Sequence, residues 1–219
     1  MNGFHECELK FYIDRCEISE DFIEILCNRG YKEKEERLET DYIFDTFTEI
    51  LKKEKILLRV RSLVTKDAEE IYFTLKIKGG SSSFQDSIEF ETNTSNFNQD
   101  MAKNIIDIVY DRTGISLSFS VFQLNSINDI LSSFSAVGFI PSNIVQKKRR
   151  EYTGINAKIL FDRFPKIQGY FIEIEADSEN RLFESLKELG LDILQSDKRN
   201  YGQIIAEMTG NEKILIFGE

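Results

Sequence analysis

Histidine and proline are scarce in this chain of 219 residues. The shortage of histidine excludes some metal sites, and the shortage of proline bears on how many domains the chain forms. His5 is the only histidine, which excludes zinc sites with two or more histidines and iron sites with two. Pro141 and Pro165 are the only prolines, and no linker rich in proline or glycine interrupts the sequence. One α+β domain over residues 1–210, followed by a tail or edge strand at 211–219, is therefore the economical prediction.

Cysteines are few, and long apolar runs are missing. Cys7, Cys16 and Cys27 form an odd set without CxxC spacing, which indicates reduced thiols and a cytoplasmic protein. No apolar run approaches the ~18 residues of a membrane span, and the N-terminal residues do not resemble a signal peptide, so no membrane partner is expected. The Gly- and Ser-rich stretch at 78–83 lacks the GxxxxGK[ST] spacing of a phosphate loop and is predicted to be an ordinary loop.

Basic residues are outnumbered by acidic ones. The chain has 28 Lys and Arg against 38 Asp and Glu, a formal charge of −10, which argues against a nucleic-acid partner. Hydrophobic residues make up 41% of the sequence, including 18 Phe, and this is enough to build a core. We therefore expect a folded domain whose basic residues, if functional, are concentrated locally.

Five helices are predicted from apolar residues repeated at the helical period and from a glycine at the end of each segment. They are expected at residues 19–29, 98–113, 126–138, 178–189 and 197–209.

Charged and apolar residues alternate in a second kind of segment, which predicts half-buried strands. These segments lie at residues 6–11, 58–61, 75–78, 88–91 and 172–175; a basic strand at 146–152 and shorter strands at 44–45 and 159–162 complete the set. Two interpretations remain open from this pattern. The charges could lie on the wet face of an ordinary antiparallel sheet, or on the inner face of a barrel whose apolar outside is covered by helices.

Same-sign pairs at positions i and i+2 favour the barrel. Such residues share a strand face about 7 Å apart and repel each other, so groups of opposite sign are expected against them. In a barrel, the basic side chains would converge with the acidic ones in one lumen. The basic set is Lys10, Arg59, Arg61, Lys76, Lys78, Lys147 and Arg149, and the acidic set is Glu6, Glu8, Glu89, Glu91, Asp162, Glu173 and Glu175. Lysines and arginines suit a polyphosphate and carboxylates suit Mg²⁺ or Mn²⁺, a combination that indicates metal-assisted phosphoryl chemistry.

The order of the charged motifs resembles the CYTH superfamily, the triphosphate tunnel metalloenzymes. Glu6-Cys7-Glu8-Leu9-Lys10 matches the ExExK signature of that superfamily. Further matches follow in order, namely a D-x-Y-F-D-T-like strand at 41–46, LRxR at 58–61, a TLKG-like segment at 74–79, KxRxxY at 147–152, Asp162, GxFxEIE at 169–175 and a SYxxLL-like segment at 199–205. The resemblance therefore covers nearly the whole chain.

The resemblance implies an eight-stranded antiparallel β-barrel, or tunnel, with a charged lumen and helices packed outside. The implied triphosphate-binding residues are Lys10, Arg59, Arg61, Lys76, Lys147 and Arg149, with Arg199 at the mouth. The arginine that the family often has before its middle ExE strand is missing here, which either weakens one phosphate contact or moves it to Lys78. The implied ligands of Mg²⁺ or Mn²⁺ are Glu6, Glu8, Glu173 and Glu175, with Asp162 nearby. Glu89 and Glu91 match the middle ExE strand, which could complete the metal site. With Lys10 and Lys76 they make up the expected catalytic set.

Two reactions fit this frame. In a class IV (CyaB-type) adenylate cyclase, which the sequence resembles most, the ribose 3′-OH of ATP attacks the α-phosphorus and pyrophosphate leaves. In a triphosphatase acting on tripolyphosphate, thiamine triphosphate or a nucleoside triphosphate, water attacks the terminal phosphorus. A glutamate or a lysine with a lowered pKa could serve as the base. A non-catalytic polyanion-binding module is the third interpretation, and family analogy also suggests a homodimer.

Overall fold

The computed structural model describes residues 3–15, 17–80 and 83–218, so Cys16 and part of the loop predicted at 78–83 lie outside it. Ten strands lie within these described residues. They are β1 (Phe4–Ile13), β2 (Lys32–Glu33), β3 (Arg37–Thr46), β4 (Ile56–Val64), β5 (Glu69–Lys78), β6 (Gln85–Asn93), β7 (Phe139–Thr153), β8 (Lys158–Arg163), β9 (Tyr170–Ala176) and β10 (Ile214–Leu215).

Helices occupy most of the remaining chain. They are α1 (Glu20–Asn28), α2 (Ile50–Lys53), α3 (Gln99–Thr113), α4 (Ile127–Ala136), α5 (Glu179–Leu189) and α6 (Tyr201–Thr209), with short 3-10 helices at Phe119–Gln123 and Ile193–Gln195. All five predicted helices are therefore present.

Hydrogen bonds join the strands in the order β10-β7-β3-β4-β5-β6-β1-β9-β8, with β2 also paired to β7. A further pairing between β7 and β8 closes this path, so that β1 and β3 to β9 form an eight-stranded antiparallel β-barrel. The predicted α+β class and the predicted barrel are thus confirmed. The short strand β10 lies at the end of the path, within the segment 211–219.

The helices differ from the prediction in two places, the start of α6 and the presence of α2, and each difference has a local cause. Helix α6 begins at Tyr201 instead of residue 197, because Asn200 and Gln203 cap it reciprocally: each side chain accepts from the other residue's backbone N–H. Helix α2 was not predicted. The Asp45 carboxylate holds its first turn by accepting hydrogen bonds from the backbone of Leu51 and Lys52.

The chain divides into two compact units, and Glu39–Lys78 with Ser87–Val145 make up most of the first. Strands β4, β5 and β6 turn one apolar face toward helices α3 and α4. The buried residues of that core include Leu58, Leu75 and Phe90 from the strands and Ile105, Val109, Ile130 and Phe134 from the helices. The opposite faces of the same strands carry the charged residues.

The second unit consists mainly of His5–Leu38 and Gln146–Glu219. Its apolar core lies between strands β1, β8 and β9 and helices α1 and α5. The buried residues include Leu9, Phe11, Phe161, Ile172 and Ile174 from the strands and Leu26, Leu182 and Leu186 from the helices. Cys7 lies in this core as a free, buried thiol, whereas Cys27 is free and exposed.

Candidate functional site

The charged faces of the strands are buried within both units. Lys10 is 1% exposed, Asp162 0%, Glu173 3%, Arg149 5% and Arg59 9%. The wet face of an ordinary sheet would leave such side chains in water. The charges therefore do not lie on a solvated sheet face. Buried charges are costly unless they are paired, so the partners of these side chains define the candidate site.

In the second unit, strand register brings the ExExK motif of β1 against the ExE motif of β9. Glu8 lies opposite Glu175 and Lys10 lies opposite Glu173. Strands β7 and β8 place Arg149 opposite Asp162. We call the resulting group the Lys10 cluster. Its members are Glu6, Glu8, Lys10, Lys147, Arg149, Asp162, Glu173 and Glu175.

Lys10 is bound on two sides by carboxylates. Its Nζ lies 2.6 Å from Glu8 Oε1 and 2.9 Å from Glu173 Oε1. Burial alone would lower the pKa of this ammonium group, but the charges of Glu173 and Glu8 outweigh burial and raise the pKa above its usual value. Lys10 is therefore not the lysine with a lowered pKa that the sequence leaves open as a possible base. A permanently charged Lys10 suits the stabilisation of negative charge.

Arg149 holds two further carboxylates in fixed positions. Its Nε and Nη2 donate to the two oxygens of Asp162 at 2.6 and 2.5 Å, and Nη2 also donates to Glu173 Oε2 at 2.6 Å. Lys147 Nζ lies 3.4 Å from Asp162 Oδ2. Burial would raise the pKa of Glu173, but Lys10, Arg149 and Lys147 together lower it well below its usual value. Glu173 is therefore ionised.

Three carboxylates form a group with the spacing of metal ligands. One oxygen from each of Glu6, Glu8 and Glu175 lies within 4.8 Å of the others. Burial, followed by the charges of Glu6 and Glu173, raises the pKa of Glu175 to about 8. Like charges so close repel each other, and a divalent cation would relieve that repulsion. Because hard cations such as Mg²⁺ and Mn²⁺ prefer carboxylate oxygens, this donor set fits the expected metal.

Asp162 and Glu173, also expected as metal ligands, have different neighbours. Within the described residues, the three-carboxylate group includes neither of them. Both instead accept hydrogen bonds from Arg149, and Glu173 also pairs with Lys10. The structure thus places these two carboxylates among the basic side chains of the cluster.

The first unit contains a second group, the Arg59 cluster. Its members are Glu39, Asp41, Arg59, Arg61, Thr74, Lys76, Glu89 and Glu91. Cross-strand register places Arg59 opposite Thr74, Thr74 opposite Glu91, and Lys76 opposite Glu89. Lys76 Nζ lies 2.9 Å from Glu89 Oε2. The cluster is therefore built, like the first, from alternate positions on neighbouring strands.

The two arginines of this cluster are held to different degrees. Arg61 donates two hydrogen bonds to Asp41, at 2.6 and 2.9 Å, and its Nη1 lies 2.9 Å from Glu39 Oε2. Arg59 lies farther from its carboxylates, at 3.7 Å from Asp41 and 3.9 Å from Glu89. The buried Nε of Arg59 has no hydrogen-bond partner among the described residues. Arg59 thus has a donor available for an anionic ligand, whereas Arg61 is engaged with acidic neighbours.

Two other residues expected to bind triphosphate are exposed. Lys78 is exposed at the last position of β5. Arg199, in the second unit, forms ion pairs with Asp197 and Glu207, and its side chain is 44% exposed. Because both side chains are exposed, each is a candidate for an outer contact with a ligand.

Sequence reasoning gives no site role to four residues in or beside these clusters, namely Glu39, Asp41, Thr74 and Tyr201. Glu39 and Asp41 are a same-sign pair at i and i+2, the pattern that identifies the other charged strands, but the motif predicted within β3 begins at Asp41 and leaves Glu39 out. Tyr201 was recognised as part of a motif but was given no role. Its ring centre lies 4.9 Å from Lys10 Nζ and 5.3 Å from Lys147 Nζ. Burial, followed by Asp162 and Glu173, raises the pKa of its phenol well above its usual value.

The sequence of the chain matches the CYTH domain family over residues 5–201, which is most of its length. The chain belongs to the CYTH domain family. No curated protein sequence matches it. CYTH proteins are metal-dependent triphosphate tunnel enzymes, and the acidic group described above agrees with that character. No helix in the described part of this CYTH domain is both long and apolar enough to cross a membrane.

Solved structures share the fold of this CYTH domain at low sequence identity. The PH1819 protein from Pyrococcus horikoshii OT3 is 18% identical, with a TM-score of 0.63 and coverage of 92% of this chain and 98% of its own. A protein from Vibrio parahaemolyticus, provisionally named an adenylate cyclase, is 18% identical with a TM-score of 0.64 and coverage of 94% and 99%. HpAC1 from Hippeastrum, described as having a dominant triphosphatase activity, is 15% identical with a TM-score of 0.53 and coverage of 95% and 97%. At these identities the likeness shows the fold alone.

Proposed function

We propose that this CYTH domain is a metal-dependent enzyme that acts on a triphosphate, most like a class IV adenylate cyclase that converts ATP to cyclic AMP and pyrophosphate. One observation carries the proposal. Three carboxylates with metal-ligand spacing adjoin a buried set of lysine and arginine side chains that are held in place by acidic partners. A metal site beside fixed cations is what the transfer of a phosphoryl group requires.

Glu6, Glu8 and Glu175 would hold the Mg²⁺ or Mn²⁺ ion. When bound, the ion supplies Lewis-acid polarisation of phosphate oxygens and neutralises their charge. Asp162 and Glu173, also expected as metal ligands, would contribute differently. Their hydrogen bonds with Arg149 keep that guanidinium group oriented.

The basic side chains would bind the phosphate oxygens. Each of these cations is already paired with a carboxylate. The phosphates of the substrate would replace some of these carboxylates as partners, so binding would not require further cations to be buried. Lys10, Lys147 and Arg149 provide these charges in the second unit, and Arg59, Arg61 and Lys76 provide them in the first. Because they are fixed before the substrate arrives, little reorganisation is needed to stabilise charge on the leaving group. Lys78 and Arg199 would make outer contacts.

Two reactions would use the same groups. In the cyclase, the 3′-oxygen of ATP forms a bond to the α-phosphorus, the bond from that phosphorus to the β-phosphate oxygen breaks, and pyrophosphate leaves. In the triphosphatase, a water oxygen bonds to the terminal phosphorus, its proton passes to the base, the bond from that phosphorus to the bridging oxygen breaks, and orthophosphate is released. The cyclase is favoured by the ELKF, QKKRREY and GYFIEIE segments, which resemble CyaB-type sequences. A non-catalytic binding module is less favoured, because both the acidic and the basic groups of the site are in place.

Product analysis tests the proposal. The purified chain is incubated with Mg²⁺ or Mn²⁺ and, in separate reactions, ATP, tripolyphosphate or thiamine triphosphate. Cyclic AMP with pyrophosphate identifies the cyclase, and phosphate release identifies the triphosphatase. The Glu8→Ala variant should lose turnover while remaining folded, and the exposed Glu184→Gln variant serves as the matched control. Binding of tripolyphosphate without any product would leave only the non-catalytic module.

A further inference from the structure

Tyr201 lies among the buried cations of the Lys10 cluster, although it carries neither a charge nor a metal-binding group. Its ring centre is within 5.3 Å of two ammonium groups, at 4.9 Å from Lys10 Nζ and 5.3 Å from Lys147 Nζ. An ammonium group within about 6 Å of an aromatic ring centre is attracted to the negative face of the ring, and the attraction is strongest where water is excluded. Both lysines are buried, so this condition is met.

The ring itself is held from several directions. It packs against Phe164, with ring centres 4.8 Å apart, and edge-on against Phe171 at 5.4 Å. Tyr201 is the first residue of α6, whose start is fixed by the capping pair of Asn200 and Gln203. The segment before the helix is tied to β1, because the backbone N–H of Asp197 donates to the carbonyl of Lys10 at 2.6 Å.

We infer that Tyr201 is a positioning residue, whose ring holds the ammonium groups of Lys10 and Lys147 where they can bind a triphosphate; this inference rests on the proposed function. Two like charges close to one ring repel each other, and the attraction of each to the ring offsets part of that repulsion. The ring is the active part of the side chain in this inference. The hydroxyl oxygen is buried and has no hydrogen-bond partner of good geometry among the described residues.

Three variants separate the ring from the hydroxyl and from general packing. Tyr201→Phe keeps the ring and Tyr201→Leu removes it. Phe183→Leu removes a ring of the same unit that packs on Phe84, whereas the cation–π contacts of both lysines within the described residues are with Tyr201. Nuclear magnetic resonance of the lysine ε-methylene groups reports ring proximity directly. The ring should shift the signals of Lys10 and Lys147 upfield in the wild type, in Tyr201→Phe and in Phe183→Leu, but not in Tyr201→Leu.

Kinetics with tripolyphosphate or ATP, whichever is turned over, give the second measurement. Tyr201→Leu should lower kcat/KM about tenfold or more, whereas Tyr201→Phe should stay within about threefold of the wild type. The inference is overturned if folded Tyr201→Leu keeps the kcat/KM of the wild type. It is also overturned if kcat/KM falls as far in Tyr201→Phe as in Tyr201→Leu, or if it falls as far in a Phe183→Leu variant of the same stability. Should Tyr201→Leu not fold, Tyr201→Met replaces it. A wild type without turnover refutes the proposed function instead, and the lysine shifts still test the ring contact.

Discussion

Lys10 and Glu173 face each other across β1 and β9, and their side chains meet at 2.9 Å while both are almost fully buried. A buried ion pair is stable only when the remaining charges and hydrogen-bonding groups nearby are satisfied. Here Glu8 is the second partner of Lys10, and Arg149 is the second partner of Glu173. The pair is therefore part of a network, and removing one member should affect both stability and ligand binding.

Asp162 is the member whose loss should cost the most stability. In Asp162→Asn a neutral amide would face the guanidinium group of Arg149 and the ammonium group of Lys147, both of which are buried. We expect the free energy of unfolding in urea to fall by about 3–5 kcal/mol, the usual cost of breaking a buried pair. The exposed pair of Glu33 with Arg150 provides the control, and Glu33→Gln should cost less than about 1 kcal/mol. Equal losses in the two variants would contradict the network.

Metal affinity should depend on the three-carboxylate group. Replacing Glu6, Glu8 or Glu175 by Gln removes one charged ligand, and each variant should bind Mn²⁺ about 10- to 100-fold more weakly in calorimetric titrations. Glu184→Gln changes an exposed carboxylate on α5 and should bind Mn²⁺ like the wild type. Unchanged affinity in all three cluster variants would place the metal elsewhere.

The two arginines of the Arg59 cluster should respond differently to substitution by lysine. Arg59→Lys loses the buried Nε donor that is not engaged in the protein, so KM for the triphosphate should rise about tenfold with little change in stability. Arg61→Lys loses the two-point contact with Asp41 and should lower the urea midpoint more than Arg59→Lys does. The two roles would be the reverse of those assigned if Arg59→Lys lowered the urea midpoint more and Arg61→Lys raised KM more.

Acid should weaken the fold through Glu151. Burial alone would raise the pKa of this carboxyl group, but Lys34, Arg37 and Thr153 together lower it to about 2. A lowered pKa contributes stability that is present above the unfolded pKa, near 4.5, and that is lost as the pH falls toward 2. We expect the free energy of unfolding of the wild type to exceed that of Glu151→Gln by on the order of 2 kcal/mol at pH 7. This difference should shrink only below about pH 4.5. A difference that shrank between pH 8 and 6 instead would refute this origin.

Alternation and glycine stops predicted most of the fold, because both signals are local. The same-sign pairs, such as those of β1 and β9, favour a barrel with its charged faces inside, and the resemblance to the CYTH superfamily implies the eight-stranded barrel that the structure has. The extent of β3 is underestimated, because the residue pattern predicts a strand only at 44–45 and the family motif extends it only to Asp41. The acidic pair of Glu39 and Asp41 is therefore missed. Helix α2 was missed because four residues are too few for a period, and its first turn depends on the side chain of Asp45.

Spacing alone could not assign partners within the candidate site. Five carboxylates were expected around the metal, yet three have ligand spacing and two pair with Arg149, a division set by strand register. Likewise, Tyr201 reaches Lys10 and Lys147 only because α6 begins where it does. Such long-range contacts depend on the fold, and no local pattern encodes them.

Turnover of a triphosphate by the wild type and by Glu8→Ala tests the central claim most directly. Phosphorus-31 spectra would follow ATP and tripolyphosphate in the presence of Mn²⁺, and again after a chelator removes the metal. We expect the wild type to convert at least one of the two only when metal is present, and folded Glu8→Ala to convert neither. Full activity of Glu8→Ala, or no conversion of ATP, tripolyphosphate or thiamine triphosphate by the folded, metal-loaded wild type, would contradict the proposed enzyme.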